Sequence, residues 1–183
     1  MNSLDTPSPS PIWNTVLRYG GITGGIMVIF SLVTYLADMD MMSISGALIL
    51  YGSIFAISFT TAAMAMRYQR DQLDNGVISY GKALAVGLLV VLIGLFISGI
   101  WNYVLVNFID PEYLPRLKEQ FTAAWGDKMP EERLDEALAG FDKAGDLLQS
   151  LKSSVIMGTI VGLIVGLITA GFMKREPMKD YMR

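Results

Sequence analysis

The chain has 183 residues, of which 52% are apolar and 17% charged, with a formal net charge of -3 and neither histidine nor cysteine. An apolar excess of this size, with a mean hydropathy of +0.45, excludes an ordinary soluble domain. The missing residue types exclude thiolate chemistry, disulfides, Ser-His-Asp relays and zinc or haem held by His or Cys, and the charge balance gives no basic footprint for nucleic acid.

Taken in chain order, residues 1–12 predict a flexible N-terminus, because Ser8, Pro9, Ser10 and Pro11 favour an extended backbone. Met1 to Leu17 contains Asp5 but no lysine or arginine, and no A-x-A site follows the first apolar run, so the segment is expected to stay as an anchor. A helix crossing the hydrocarbon core needs about 20 apolar residues, since roughly 30 Å is divided by a rise of about 1.5 Å per residue. Four charge-free stretches meet that length: 19–37, 44–66, 83–109 and 153–173. The third is long enough that it must tilt or project beyond the bilayer. The expected fold class is all-α, a bundle of four transmembrane helices forming a single membrane domain.

Lysine and arginine near the span ends set orientation, because short basic segments resist translocation. Arg18, then Arg67, Arg70 and Lys82, then Lys174, Arg175, Lys179 and Arg183 fall on one side, while the short 38–43 connection has none. The 110–152 connection is acidic, with ten acidic and six basic residues. Both termini, including the 174–183 tail, are therefore expected in the cytoplasm.

Lipid is as apolar as leucine, so spans associate through close backbone approach and hydrogen bonds. Gly158, Gly162, Gly166 and Ala170 recur every fourth residue on one face of the last span, and Gly87 and Gly94 share a face of the third. Such faces serve either packing within one bundle or a seam between copies. The polar residues inside the spans are Ser, Thr and Asn, none of them ionisable, which argues against a pump or proton antiporter. Hydroxyls can return a hydrogen bond to their own helix. Asn102, between Trp101 and Tyr103, either finds partners within the hydrocarbon or lies at the interface.

In the 67–82 connection, Asn75-Gly76 is a turn pair that tolerates positive φ, and Ser79 can cap a helix beginning at Tyr80. Lys82 is expected to reach back towards headgroups. Asp71 and Asp74 either pair with Arg67 and Arg70 or meet a cytoplasmic partner; with no further ligands nearby, they are a weak divalent-cation signal. The 110–152 connection predicts an extramembrane helical hairpin. Asp110-Pro111 interrupts the third span, Leu114, Leu117, Phe121 and Trp125 share one helical face, and Gly126-Asp127 offers a turn. Pro130 suits a helix start, and Leu134, Leu138, Phe141 and Leu148 continue a heptad-like stripe. No proline lies between Glu131 and Glu176, so the second helix is expected to run into the last span, with Gly140 and Gly145 as its weak points.

The stretch from Arg67 to Leu88 carries a more specific pattern: Arg70-Asp71, then Asn75-Gly76-Val77-Ile78-Ser79-Tyr80-Gly81-Lys82-Ala83, then Val86-Gly87-Leu88. It resembles the G-V-I-S-[FY]-G-K-A-x-x-x-G-L segment of the bacterial domain of unknown function 4199 family, small four-span integral membrane proteins. Leu73 and Asp74 depart from that pattern. The resemblance implies a bacterial inner-membrane location and carries no assigned activity. From the residues themselves, the leading expectation is a non-enzymatic envelope component without cofactor, metal or catalytic residues. Its acidic hairpin and the Asp71, Asp74, Gly76, Ser79, Gly81 and Lys82 loop would be interaction surfaces for an envelope protein or a second copy. The alternative is a small oligomeric transporter or channel.

Overall fold

The structure, a computed structural model, describes residues 11–174; the N-terminal residues before them and the basic tail after Lys174 lie outside the described residues. Within that range the chain is helical: α1 (Trp13–Leu36), α2 (Ile44–Tyr68), α3 (Tyr80–Val104), α4 (Tyr113–Trp125), α5 (Glu131–Ala144) and α6 (Leu147–Met173). Helices α1, α2, α3 and α6 are long and apolar enough to cross a membrane, and they form a bundle. Helix α3 lies at its centre, packed along α6 on one side and α1 on the other, with α2 touching all three. Helices α4 and α5 form the hairpin between the third and fourth spans.

The bundle is built small inside and large outside. Its interior holds Ala62, Ala65, Ala83, Val86, Val90, Val91, Val165 and Ala170, together with the buried glycines of α1, α3 and α6. Most large apolar residues point outward instead, among them Ile22, Ile26, Ile29 and Val33 along α1, Leu48, Tyr51, Phe55 and Phe59 along α2, and Ile156, Ile160 and Ile164 along α6, while Met27, Met66, Ile78, Leu95 and Leu105 are buried. A water-soluble bundle would expose a contiguous apolar surface of this extent at great cost. In lipid the same surface costs nothing, and small residues let the backbones close.

Helix ends follow local chemistry. Ser43 caps α2 by accepting from the Gly46 N–H at 3.1 Å, and Ser79 caps α3 by accepting from the Lys82 N–H at 3.4 Å. Spans two and three each run on through one wide π-helical turn, closed by Asp74 N–H to the Gln69 carbonyl at 3.0 Å and Asp110 N–H to the Leu105 carbonyl at 2.8 Å. At Asp110-Pro111 the third span stops, as its proline requires. The spans begin earlier than their charge-free cores, at Trp13, Tyr80 and Leu147, because a polar first turn continues a helix as readily as an apolar one.

The expectation of one helix running from the hairpin into the last span needs correction. The chain breaks at Gly145, and Asp146 starts α6 afresh by accepting from the Gln149 N–H at 2.8 Å. A proline-free stretch still breaks where glycine precedes a strong capping residue. The break also takes Leu148 out of the hairpin stripe and leaves it exposed, whereas Leu134, Leu138 and Phe141 stay half-buried. Pro130 sits one position before the first helical residue, as the N-cap of α5.

The short α1–α2 turn fixes one glycine. Asp40 accepts from the Met42 and Ser43 N–H groups at 3.0 and 3.2 Å, and a Cβ on Gly46 would overlap the Asp40 carbonyl oxygen and lie 2.8 Å from Met41 Cα. Both are backbone atoms and cannot rotate away. Gly46→Ala is expected to lose about 2 kcal/mol of stability despite alanine's better helix propensity, read as a lower unfolding temperature in detergent.

Candidate functional site

At the end of the bundle that carries the 69–79 turn, the polar groups are spent on one another. Gln69 is fully buried; its Oε1 accepts from the Thr15 hydroxyl at 2.5 Å, and its Nε2 lies 3.3 Å from Asp74 Oδ2. Lys82 Nζ donates to Asp74 Oδ1 at 2.8 Å, which folds Lys82 onto the loop. Arg70 pairs with Asp71 and also donates to the Met173 carbonyl at 3.3 Å, tying the turn to the end of α6. The two carboxylates therefore divide between different cations, Asp71 with Arg70 and Asp74 with Lys82. Among the described residues no group of three acidic side chains converges to hold a metal ion. Asn75 and Gly76 adopt φ of 52° and 85°, as their turn requires, and Gly81 is exposed with open space beside it.

The glycine faces lie inside the bundle. Cβ atoms built on Gly158, Gly162 and Gly166 would meet Leu92, Leu88 and Leu84 of α3 in turn, at 3.2 Å from Leu92 Cα, 3.0 Å from the Leu88 carbonyl oxygen and 3.0 Å from Leu84 Cδ1. A Cβ on Gly87 would overlap Met66 and lie 3.3 Å from Gly166 Cα, and one on Gly94 would overlap Thr23. These residues hold the spans together; α3 fills the groove that a second copy would otherwise use.

At the opposite end, the hairpin is latched to the bundle by groups far apart in sequence. Asp110 accepts from the Tyr35 hydroxyl at 3.0 Å and the Glu112 N–H at 3.1 Å, and forms an ion pair with Arg116. Tyr35 stacks edge-on against Tyr113 with ring centres 5.6 Å apart. Trp125 donates to the Met42 carbonyl at 2.9 Å, and Asn107 to the Gly145 carbonyl at 3.1 Å. Within the hairpin, Phe121 stacks on Phe141 and Lys118 pairs with Asp142. The Arg116 guanidinium, then Tyr35 and the Glu112 amide, hold the Asp110 carboxyl below its ordinary value of 3.8. A carboxyl lowered on folding adds stability that is complete above 3.8 and is lost as pH falls through the lowered value. Trp125, as the sole indole in a Trp13→Phe/Trp101→Phe background, is expected to stay shielded from acrylamide down to pH 4 (about the ordinary carboxyl value). Below that its quenching should rise, and Asp110→Asn should show the raised quenching at neutral pH.

Of the cavities bordered by the hairpin, two flank α3. One, of about 470 Å³, runs between α3, α5 and α6 and is lined by Ser98, Asn102, Lys143, Gln149, Ser153 and Met157 among others. The second, of about 270 Å³, lies between α1, α2, α3 and α4 and is lined by Ser31, Thr34, Ser98, Asn102 and Tyr113 together with methionines and leucines. Asn102 is half-buried and borders both. Tyr35, Arg116, Gln69 and Lys143 escaped the sequence reading. Only Gln69 left a local signal: it follows Ala62, Ala65 and Met66 on the packing face of α2, where an amide has no lipid-facing alternative.

The family described as protein of unknown function (DUF4199) matches residues 18–175. The chain belongs to that family. Neither the curated proteins nor the solved structures provide a match. In this member of DUF4199, the segment resembling the family pattern is mostly framework: Gly76 supplies the left-handed turn, Ile78 is buried, Ser79 caps α3 and Gly87 lets α6 approach.

Proposed function

We propose that this DUF4199 protein is a non-enzymatic, multipass component of the bacterial inner membrane, with both termini cytoplasmic and the acidic hairpin held outside as its interaction element. The observation that carries the reading is the latch. A loop with no role has no need of distant anchors at Tyr35 and the Met42 carbonyl, or of a local ion pair beside them, to hold one orientation, whereas a binding platform gains from preorganisation. The charge-free stretches 19–37, 44–66, 83–109 and 153–173 hold no Asp, Glu, Lys, Arg, His or Cys for acid–base or thiolate chemistry. Photocrosslinkers at the exposed positions Glu132 and Asp135 of α5, with lipid-facing Ile160 as control, test it in native membranes. Discrete protein adducts from the two hairpin positions support the reading; adducts no different from those at Ile160 refute it.

The chain has no cysteine, so Gln72→Cys and Asp135→Cys each give a single thiol. A membrane-impermeant maleimide applied from outside should label Asp135→Cys and spare Gln72→Cys; the reverse pattern refutes the orientation. The two cavities flanking Asn102 favour a second reading, a solute path formed by an oligomer. Below them the single bundle is filled by Val90, Val91 and Leu95, so such a path would run between copies. Specific flux in reconstituted vesicles, abolished by Asn102→Leu, would establish it.

A further inference from the structure

The larger cavity beneath the hairpin has a charge pattern unlike its surroundings. The hairpin is acidic, yet no carboxylate lines this cavity; its one charged lining residue is Lys143 of α5. The neighbouring acids are engaged elsewhere, Asp142 with Lys118 and Asp146 with the first turn of α6. Around Lys143 stand the Asn102 and Gln149 amides and the Ser153 hydroxyl; Lys143, Gln149 and Ser153 are exposed at the mouth, and none of these side chains is hydrogen-bonded among the described residues. That set offers one positive charge and several neutral donors, which suits a single anionic group carrying further oxygens.

The cavity also changes character along its length. Its polar end lies at the hairpin, and it ends at Leu95 and at Met157, a 47% exposed residue on the outward side of α6. From Gln149 to Met157 is roughly 12 Å of helix, at about 1.5 Å per residue. A polar head with an apolar chain running down into the bilayer matches both ends. Gly140 adds an independent observation. It lies in the interior of α5, where glycine is a poor helix former, and a Cβ there would meet nothing within 4 Å. Packing does not demand this glycine, but it lines the cavity and leaves room in it.

We infer that the cleft between α3, α5 and α6 binds an anionic phospholipid, with the phosphate at Lys143, Asn102 and Gln149 and an acyl chain leaving past Leu95 and Met157. The site does not depend on which side of the membrane the hairpin occupies.

The test uses the full chain purified in neutral detergent, with lipid binding followed by native mass spectrometry. Dioleoyl phosphatidylglycerol, dioleoyl phosphatidylcholine and glycerol 3-phosphate serve as probes. One phosphatidylglycerol per chain should bind about tenfold more tightly than phosphatidylcholine: both carry the phosphate, but the quaternary ammonium of phosphatidylcholine cancels its charge beside Lys143 and offers no hydroxyl to the neighbouring amides. Lys143→Gln should abolish that preference and Lys143→Arg should retain it. Gly140→Leu should block the lipid while Gly140→Ala folds and binds, and Lys128→Gln, which removes a cation elsewhere on the hairpin, should change nothing. Circular dichroism and unfolding temperature confirm that each variant is folded. Equal binding of the two lipids, or an unchanged preference in Lys143→Gln, overturns the proposal. Displacement of phosphatidylglycerol by equimolar glycerol 3-phosphate also overturns it, because the ligand would then be a soluble phosphate.

Discussion

Gly162→Leu is expected to cost about 3 kcal/mol or more, enough to separate α6 from α3 or unfold the bundle in mild detergent. The contact is a ladder in which Gly158, Gly162 and Gly166 of α6 meet Leu92, Leu88 and Leu84 of antiparallel α3, advancing four residues at each step. At its middle rung a Cβ would lie 3.0 Å from the Leu88 carbonyl oxygen and 3.3 Å from Leu88 Cα. Those are backbone atoms, so an isobutyl group is admitted only by moving the helices apart. In water, the buried leucine would recover part of that loss as hydrophobic transfer. In lipid it recovers none, because the acyl chains it leaves are as apolar as the interior it enters, while dispersion contacts fall along the whole seam. Glycine-to-leucine changes at Gly25 and Gly171, where among the described residues nothing beyond the helix's own backbone lies within 4 Å of the added Cβ, provide the controls. These should be neutral or gain up to about 1 kcal/mol from helix propensity. Thermal unfolding in one detergent separates the cases; equal shifts at Gly162 and Gly171 would contradict the ladder.

Features set by local chemistry were legible in the sequence. Charge-free length marked the four spans, four-residue glycine spacing marked a packing face on the last span without naming what covers it, and Asn75-Gly76, Ser79 and Pro111 marked turns and caps, each through a property of its own residues. The outward row Ile22, Ile26, Ile29 and Val33 was equally present in the sequence, but its meaning depended on knowing which face α3 covers. The candidate site was far less legible, because it is made by juxtaposition. Tyr35 meets Asp110 across a sequence separation of 75, and Thr15 meets Gln69 across 54. Lys143 reads as one charge among many on an amphipathic helix until α3 and α6 place Asn102 and Ser153 beside it. Even the error at Gly145 is of this kind: proline absence permits a continuous helix, and the carbonyl of Gly145 is instead held by Asn107 of the third span.

Gln69→Leu tests the opposite end of the bundle and is expected to cost about 3 kcal/mol. Leucine matches glutamine closely in volume, so the loss measures polar connection rather than packing. The wild-type amide joins three segments: it accepts from Thr15 of α1, extends from the end of α2, and approaches Asp74, whose carboxylate also takes the Lys82 ammonium at 2.8 Å. Removing it leaves the Thr15 hydroxyl, itself fully buried, without its acceptor, and takes one donor from a carboxylate that is 8% exposed. A buried polar group left without its partner costs about 1–3 kcal/mol, and a charged one more. Because the penalty comes from the abandoned partner, removing both ends should be milder than removing one. The double variant Thr15→Val/Gln69→Leu is therefore expected to recover about 1 kcal/mol relative to Gln69→Leu, although it carries the additional substitution. A packing role for Gln69 predicts the reverse, with the two losses adding. Chemical unfolding of the four proteins of this cycle in mixed micelles distinguishes them by whether the coupling is favourable or zero.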